Sequence, residues 1–210
     1  DVPKWDTNCI TRYFLKRILK ICKMEYVLCE SSRRYLRDAY GVESTKIPNF
    51  VDEDLIAPSK TIDKHIRKIM FTGRVSASKG AAEIFEVAKY FPDITFVLAG
   101  EVSEEIAPLK HPDNIVLAGV QEHNTVISDL DAADLFLFPS HTEGFSLALA
   151  EAMARGLPAV ATDVGANAEM LEGQGGIVVA AGDVRAMKDA VMQLDDSDIR
   201  EKMSLWNLKK

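Results

Sequence analysis

Short runs of Val, Ile, Leu and Phe alternate with stretches of helical period along most of this chain. Arg67–Thr72 (RKIMFT), Ile94–Ala99 (ITFVLA), Asn114–Ala118 (NIVLA), Leu135–Phe138 (LFLF), Pro158–Ala161 and Gly176–Ala180 (GIVVA) read as strands. Helices are predicted over Ala81–Tyr90, Glu122–Ala132, Phe145–Arg155, a short piece near Ala166, Asp183 to about Leu194, and Ser197–Trp206. Near-continuous apolar strands separated by helices predict an α/β fold, a Rossmann-like parallel sheet with helices on both faces. Such sheets take ligands at the carboxyl ends of their strands.

Upstream the pattern is less regular. Thr11–Lys23 (TRYFLKRILKICK) has helical period and carries Arg12, Lys16, Arg17, Lys20 and Lys23 without an acid. It fits a helix on an anionic membrane surface, or a helix of a first domain with its basic side in water; the second reading is preferred. Glu25–Glu30 reads as a short strand. A helix capped by Ser31 or Ser32 follows and stops at Gly41. Lys46–Pro58 has two prolines, three acids and no period, and reads as a linker.

The bulk numbers narrow the classes. The 210 residues suffice for one domain and part of another. A net charge of −7 argues against bulk nucleic-acid binding, so any phosphate must be held by a few placed cations. Cys9, Cys22 and Cys29 are odd in number and lack Cys-x-x-Cys spacing, which points to a reducing, cytoplasmic setting and away from zinc. His65, His111, His123 and His141 are scattered singly, by default on loops or the surface. No apolar run approaches the roughly 20 residues of a membrane span. The start, DVPKWDTN, has neither signal-peptide architecture nor an initial Met, and reads as that of a processed or excised piece.

Chemistry concentrates in Pro139–Glu169. Glu143 and Gly144 form a turn after an apolar strand, and the helix that follows carries one charge between Phe145 and Ala154, that of Glu151. Glu151 either pairs with Arg155, four residues on, or is kept to bind something polar. The free N–H groups of Phe145, Ser146 and Leu147 make the helix start an anion site. The first strand after the linker ends in Gly73-Arg74-Val75-Ser76-Ala77-Ser78-Lys79-Gly80. Two cations in a Gly- and Ser-rich turn suit a diphosphate, although the order is not that of a Walker loop. Gly119-Val120, at another strand end, suits a flat base. The acidic pairs Asp129/Asp131 and Asp52/Asp54 are discounted as metal sites, and no metal is expected. No Ser-His-Asp or Cys-His set can be assembled.

These residues resemble the donor-binding half of retaining glycosyltransferases of the GT-B fold, the "group 1" family that includes sucrose and glycogen synthases. Ile47-Pro48-Asn49-Phe50-Val51-Asp52 is similar to the family's I-P-N-G-V-D hinge. Gly73-Arg74 with Lys79-Gly80 is similar to its G-R-x-x-x-x-K-G turn, and Ala133–Ser140 to its A-D-v-f-v-x-P-S strand. Glu143 and Glu151 match its E-x7-E motif. The resemblance covers about residues 25 to 205.

It implies that residues 1–45 are a remnant of an N-terminal acceptor domain, 46–64 a hinge, and 65–210 the nucleotide-sugar domain. It further implies that Arg74 and Lys79, beside Gly73, bind the diphosphate. Glu143, next to Gly144, would meet the sugar, and Phe145, Ser146 and Leu147 would offer N–H groups. Glu151 would hold the ribose, with Gly119 and Val120 by the base. Glu143, Arg74 and Lys79 would be the catalytic set. The eight residues from Glu143 to Glu151 span up to about 12 Å at helical rise, the scale of a diphosphate between two rings. The donor would be a UDP-, GDP- or ADP-sugar with no separate cofactor. The partner would be the missing N-terminal domain, and peripheral membrane contact is left open for a full-length enzyme. Departures are Phe50, Ser146 and Ala166 where Gly is common. The fragment alone is expected to be inactive. The alternatives are a non-catalytic binding subunit and a sugar-nucleotide epimerase.

Overall fold

A computed structural model describes residues 9–210 except 20 and 23. The cations Lys20 and Lys23 and the stretch 1–8 therefore lie outside the described residues. The main body is a six-stranded parallel sheet in the order β5-β4-β3-β6-β7-β8. The strands are β3 (Lys68–Thr72), β4 (Thr95–Ala99), β5 (Ile115–Gly119), β6 (Leu135–Phe138), β7 (Ala159–Thr162) and β8 (Gly176–Val179). Each of these six strands lies within two residues of its expected ends. Every residue of β6 and β7 is buried, which is why these strands read as unbroken apolar runs rather than alternating ones.

Helices α3 (Ala81–Ala88), α4 (His123–Ala132), α5 (Leu147–Ala154), α6 (Asn167–Leu171), α7 (Val184–Gln193) and α8 (Ser197–Asn207) cover both faces. Helix α3 packs on α7, and α5 on β6, β7 and α8. Helix α5 is shorter than the predicted Phe145–Arg155. Ser146 is its N-cap, with Oγ accepting from Leu149 N–H at 3.1 Å, and Arg155 is its C-cap.

Chain order reverses across the sheet. From β3 the chain steps outward to β4 and β5, then returns through α4 to lay β6 on the other side of β3. The loops after β3 and β6 therefore flank the topological switch point, where open α/β sheets form their crevice. Close backbone packing shapes this edge. Gly73 N–H donates to Ala99 O, and Gly100 N–H to Gly119 O. Gly100 sits at φ 147, where a Cβ would lie 1.9 Å from Gly73 O.

Ahead of the sheet lie α1 (Cys9–Leu19), β1 (Tyr26–Val27), α2 (Glu30–Tyr40) and β2 (Thr45–Lys46), with β1 and β2 paired in parallel. The expected strand over Glu25–Glu30 shrinks to two residues. Neither Ser31 nor Ser32 caps α2, since Cys29 holds the N-cap position. The reason is a distant competitor. Glu30 N–H donates to Glu169 Oε2 at 2.8 Å, and Ser31 Oγ donates to Gly165 O at 3.1 Å. Glu169 also pairs with Lys46. Burial works against ionisation of Glu169, but the Lys46 ammonium and the Glu30 N–H outweigh it and hold the carboxyl below its ordinary range.

The linker is an ordered strap with a 3-10 turn at Glu53–Leu55. Ala57 N–H donates to Ala154 O, and Arg155 donates to Leu55 O. Lys60 donates to Leu130 O and Asp131 O at the end of α4, and burial pulls its pKa down to about 8. Among the described residues no helix is long and apolar enough to cross a membrane.

Gly100→Ala should destabilise the fold by about 2 kcal/mol or more, because both the φ and the backbone overlap oppose a Cβ. Urea unfolding of the two proteins checks this, with a variant of unchanged midpoint counting against the packing.

Candidate nucleotide-binding site

At the β3–β6 crevice, the cation of one loop meets the acid of the other. Lys79 Nζ lies 2.5 Å from Glu143 Oε1, with side chains 29% and 9% exposed. Lys79 is delivered by the 3-10 turn Ala77–Lys79, which Gly80 ends in the left-handed conformation against Pro139 O. Arg74, one residue past Gly73, is exposed and lies 3.6 Å from Glu101.

The loop carrying Glu143 is held on several sides. His141 N–H donates to Ser78 O, and the His141 ring pairs with Glu83 at 2.6 Å. Ser140 O accepts from Thr162 Oγ1. Gly165, at φ 56, packs so tightly on the Glu143–Gly144 turn that a Cβ would lie 2.5 Å from Glu143 O. Ala166 has φ −92, which any residue adopts, so glycine is not required there.

The start of α5 opens into the same crevice. Among the described residues, no acceptor takes the N–H of Phe145, Ser146 or Leu147. These donors and the positive end of the helix dipole form a partial positive charge facing solvent. Two turns on, Glu151 is half-buried, and burial raises its pKa. No hydrogen bond or ion pair satisfies it among the described residues. The pairing with Arg155 does not occur. Arg155 instead makes a two-pronged pair with Asp131, 2.7 Å from each oxygen, and is turned toward the strap. Asp129 is likewise taken, by Lys68 at 2.6 Å. Among the described residues no His, Cys, Asp or Glu cluster could hold a metal.

Sequence reasoning missed His123. It opens α4 at the same sheet edge, and its charge acts on Glu151 in the direction opposite to burial. The usable signal was its place at the first residue of a helix that follows a strand end. Val120, 79% exposed, also lies at this edge, just after β5. Thus Arg74, Lys79, Val120, Glu143 and the start of α5 share the carboxyl edge, with Glu151 further along α5. A cavity of about 560 Å³ lies beside this cleft, between the strap, α5 and α8. Ala150, Met153 and Ala154 line it together with Phe145 at the start of α5, whereas Glu151 and Lys79 do not, and Lys46, Glu169 and Glu172 add charged groups to its wall.

A family model described as "Glycosyl transferases group 1" matches residues 66–196. The chain is 41% identical over 99 residues to the lipopolysaccharide core biosynthesis mannosyltransferase LpsB of Rhizobium meliloti (strain 1021), covering 46% of this chain and 28% of that protein. It is 28% identical over 187 residues to a phosphatidyl-myo-inositol mannosyltransferase of Mycobacterium leprae (strain TN), covering 80% and 48%. The chain thus spans less than half the length of these relatives. Among solved structures, a sucrose-phosphate synthase from Thermosynechococcus elongatus superposes with a TM-score of 0.83 at 18% identity, over 100% of this chain and 58% of that one. HepE of Anabaena, solved in complex with UDP-glucose, superposes with a TM-score of 0.76 at 17% identity, over 95% and 63%.

The unpaired Glu151 carboxyl makes a stability prediction. A raised pKa means that the charged form is disfavoured in the folded chain. The penalty is present above the folded pKa and fades as pH falls through the usual glutamate range. Glu151→Gln should therefore raise stability at pH 7 by up to about 0.5 kcal/mol, with the gain vanishing toward pH 4. Thermal melts across that range check it; a loss of stability at pH 7 would restore an ion pair.

Proposed function

The chain belongs to the group 1 glycosyl transferases, and from that premise we propose that it is the donor-binding half of a retaining enzyme that moves a hexose from a nucleotide sugar to an acceptor. The observation that carries this is the juxtaposition at the β3–β6 crevice of Lys79, Glu143 and the open N-terminus of α5. In this reading Arg74 and Lys79 hold the diphosphate together with the N–H groups of Phe145, Ser146 and Leu147. Glu143 meets hydroxyls of the sugar, Glu151 takes those of the ribose, and Gly119-Val120 lies by the base. As the bond from sugar to diphosphate breaks, negative charge grows on the leaving phosphate. Once the donor has engaged them, the cations and backbone donors around the phosphate stabilise that charge. The UDP-glucose complex of HepE supports a nucleotide sugar as the ligand class.

The N-terminal segment supports the proposal that a further domain completes the enzyme. A parallel sheet of two strands is not stable alone, and β1–β2 has no other neighbour among the described strands. On α1, Ile10, Phe14 and Ile18 are each more than half exposed, with Ile21 and Met24 beyond it. A second α/β domain would cover these side chains and carry the acceptor. This explains them better than a membrane surface, because the strand pair also needs a partner.

Calorimetry with UDP, GDP and ADP and their sugars tests the ligand class. Binding of one series should persist in EDTA; binding that disappears with chelator and returns with Mg²⁺ would reject a metal-free site. Glu151→Gln should weaken nucleotide affinity about tenfold or more, since hydrogen bonds to a charged group are worth about 1.5–3 kcal/mol. Arg155→Ala should leave affinity unchanged.

The purified chain should bind donor yet transfer no sugar. Robust transfer to any acceptor by residues 1–210 would overturn the need for a second domain.

A further inference from the structure

We propose that Lys79 and Glu143 form an exchange pair by which this site distinguishes a nucleoside diphosphate that carries a sugar from one that does not. The inference rests on the donor-binding reading above. In the structure the two groups satisfy each other at 2.5 Å. Both are needed by the donor, Lys79 by the phosphates and Glu143 by the sugar. Neither is free to act until their pairing breaks.

The two partners differ in what remains to them after separation. Lys79, 29% exposed, gains phosphate oxygens as new partners. Glu143 is 9% exposed, and among the described residues no other cation or side-chain donor reaches its carboxylate. His141, Thr162 and Gly165 hold the backbone of its loop, so the loop does not carry the carboxylate out to water. A bare diphosphate that captures Lys79 therefore leaves a buried carboxylate unpaired beside new negative charge, which is strongly unfavourable. Sugar hydroxyls are donors, and a sugar held beside the phosphate restores the hydrogen bonds that Glu143 has lost. The exchange is balanced for the nucleotide sugar and unbalanced for the nucleotide alone. Once the sugar has departed, the same imbalance favours release of the nucleoside diphosphate and re-forms the pair.

This assigns Glu143 an opposing role in nucleotide binding, with a sign that separates it from a simple contact. If Glu143 merely positioned Lys79 for phosphate, its removal would weaken nucleotide binding. As an exchange partner, its removal frees Lys79 and strengthens that binding.

The test is calorimetry on wild type and Glu143→Gln with inorganic pyrophosphate, UDP, UDP-glucose, GDP and GDP-mannose. In the variant, pyrophosphate and the bound nucleoside diphosphate should gain about fivefold or more in affinity, and preference for the sugar-bearing form should fall about tenfold, on the scale of a charge-assisted hydrogen bond. Glu143→Asp, which keeps the charge but draws back from Lys79, should move both values in the same direction by less, and stands in where Gln does not fold. Unchanged or weaker nucleotide binding in both variants, or an unchanged preference, overturns the exchange while leaving the donor site intact. A wild type that binds none of the five ligands overturns the donor-binding reading, and the exchange with it.

Discussion

Parallel strand direction is the constraint on which the rest depends. Six strands that all run one way present all their carboxyl ends at one edge, so residues far apart in sequence arrive together. The reversal of chain order between β3 and β6 then parts two loops at that edge. Lys79 follows one strand and Glu143 the other, 64 residues later. Their contact is a consequence of topology, and the glycines at 80, 100 and 165 let neighbouring backbone segments pack closely at that edge.

Most of this frame was legible in the sequence because burial and period coincide. Strands covered on both faces cannot alternate with polar residues, so LFLF and ITFVLA announce themselves. The element order then fixes the fold class, and placing Gly73-Arg74, Gly119 and Glu143 at strand ends was enough to gather them at one edge. Helix ends were less legible. Phe145-Ser146 looks as helical as Leu147-Ala148, and only the bond from Leu149 N–H to Ser146 Oγ shows where α5 begins.

What the sequence hides is partnership across distance. Arg155 stands four residues from Glu151 on one helix, the spacing of a local ion pair. It chooses Asp131 instead, because the strap and α4 converge at the end of α5 and offer a two-pronged acceptor plus a carbonyl. Ser31 sits where a helix cap belongs, yet a carboxylate 139 residues away takes the Glu30 N–H. The aperiodic strap looked like a free linker since its bonds are backbone groups and two long cations docked on helix ends. None of those leaves a hydrophobic period.

The same contrast bears on where function resides. Away from the crevice, Asn114 donates to three carbonyls and Asp134 Oδ2 accepts from both Arg67 N–H and Lys68 N–H, although among the described residues buried Arg200 finds no hydrogen-bond partner for Nε and Nη1. The crevice gathers several open groups at one edge. Among the described residues, three backbone donors at the start of α5 have no acceptor, Glu151 carries a half-buried carboxyl with no hydrogen bond or ion pair, and the Glu143 carboxylate has a single partner in Lys79. Glutamine at 151 would relieve the penalty at no cost to helix propensity, so stability alone does not account for glutamate there. Local choices that oppose stability and gather at one edge are the expected mark of a binding surface, where unmet hydrogen-bonding capacity is held for something that arrives from outside.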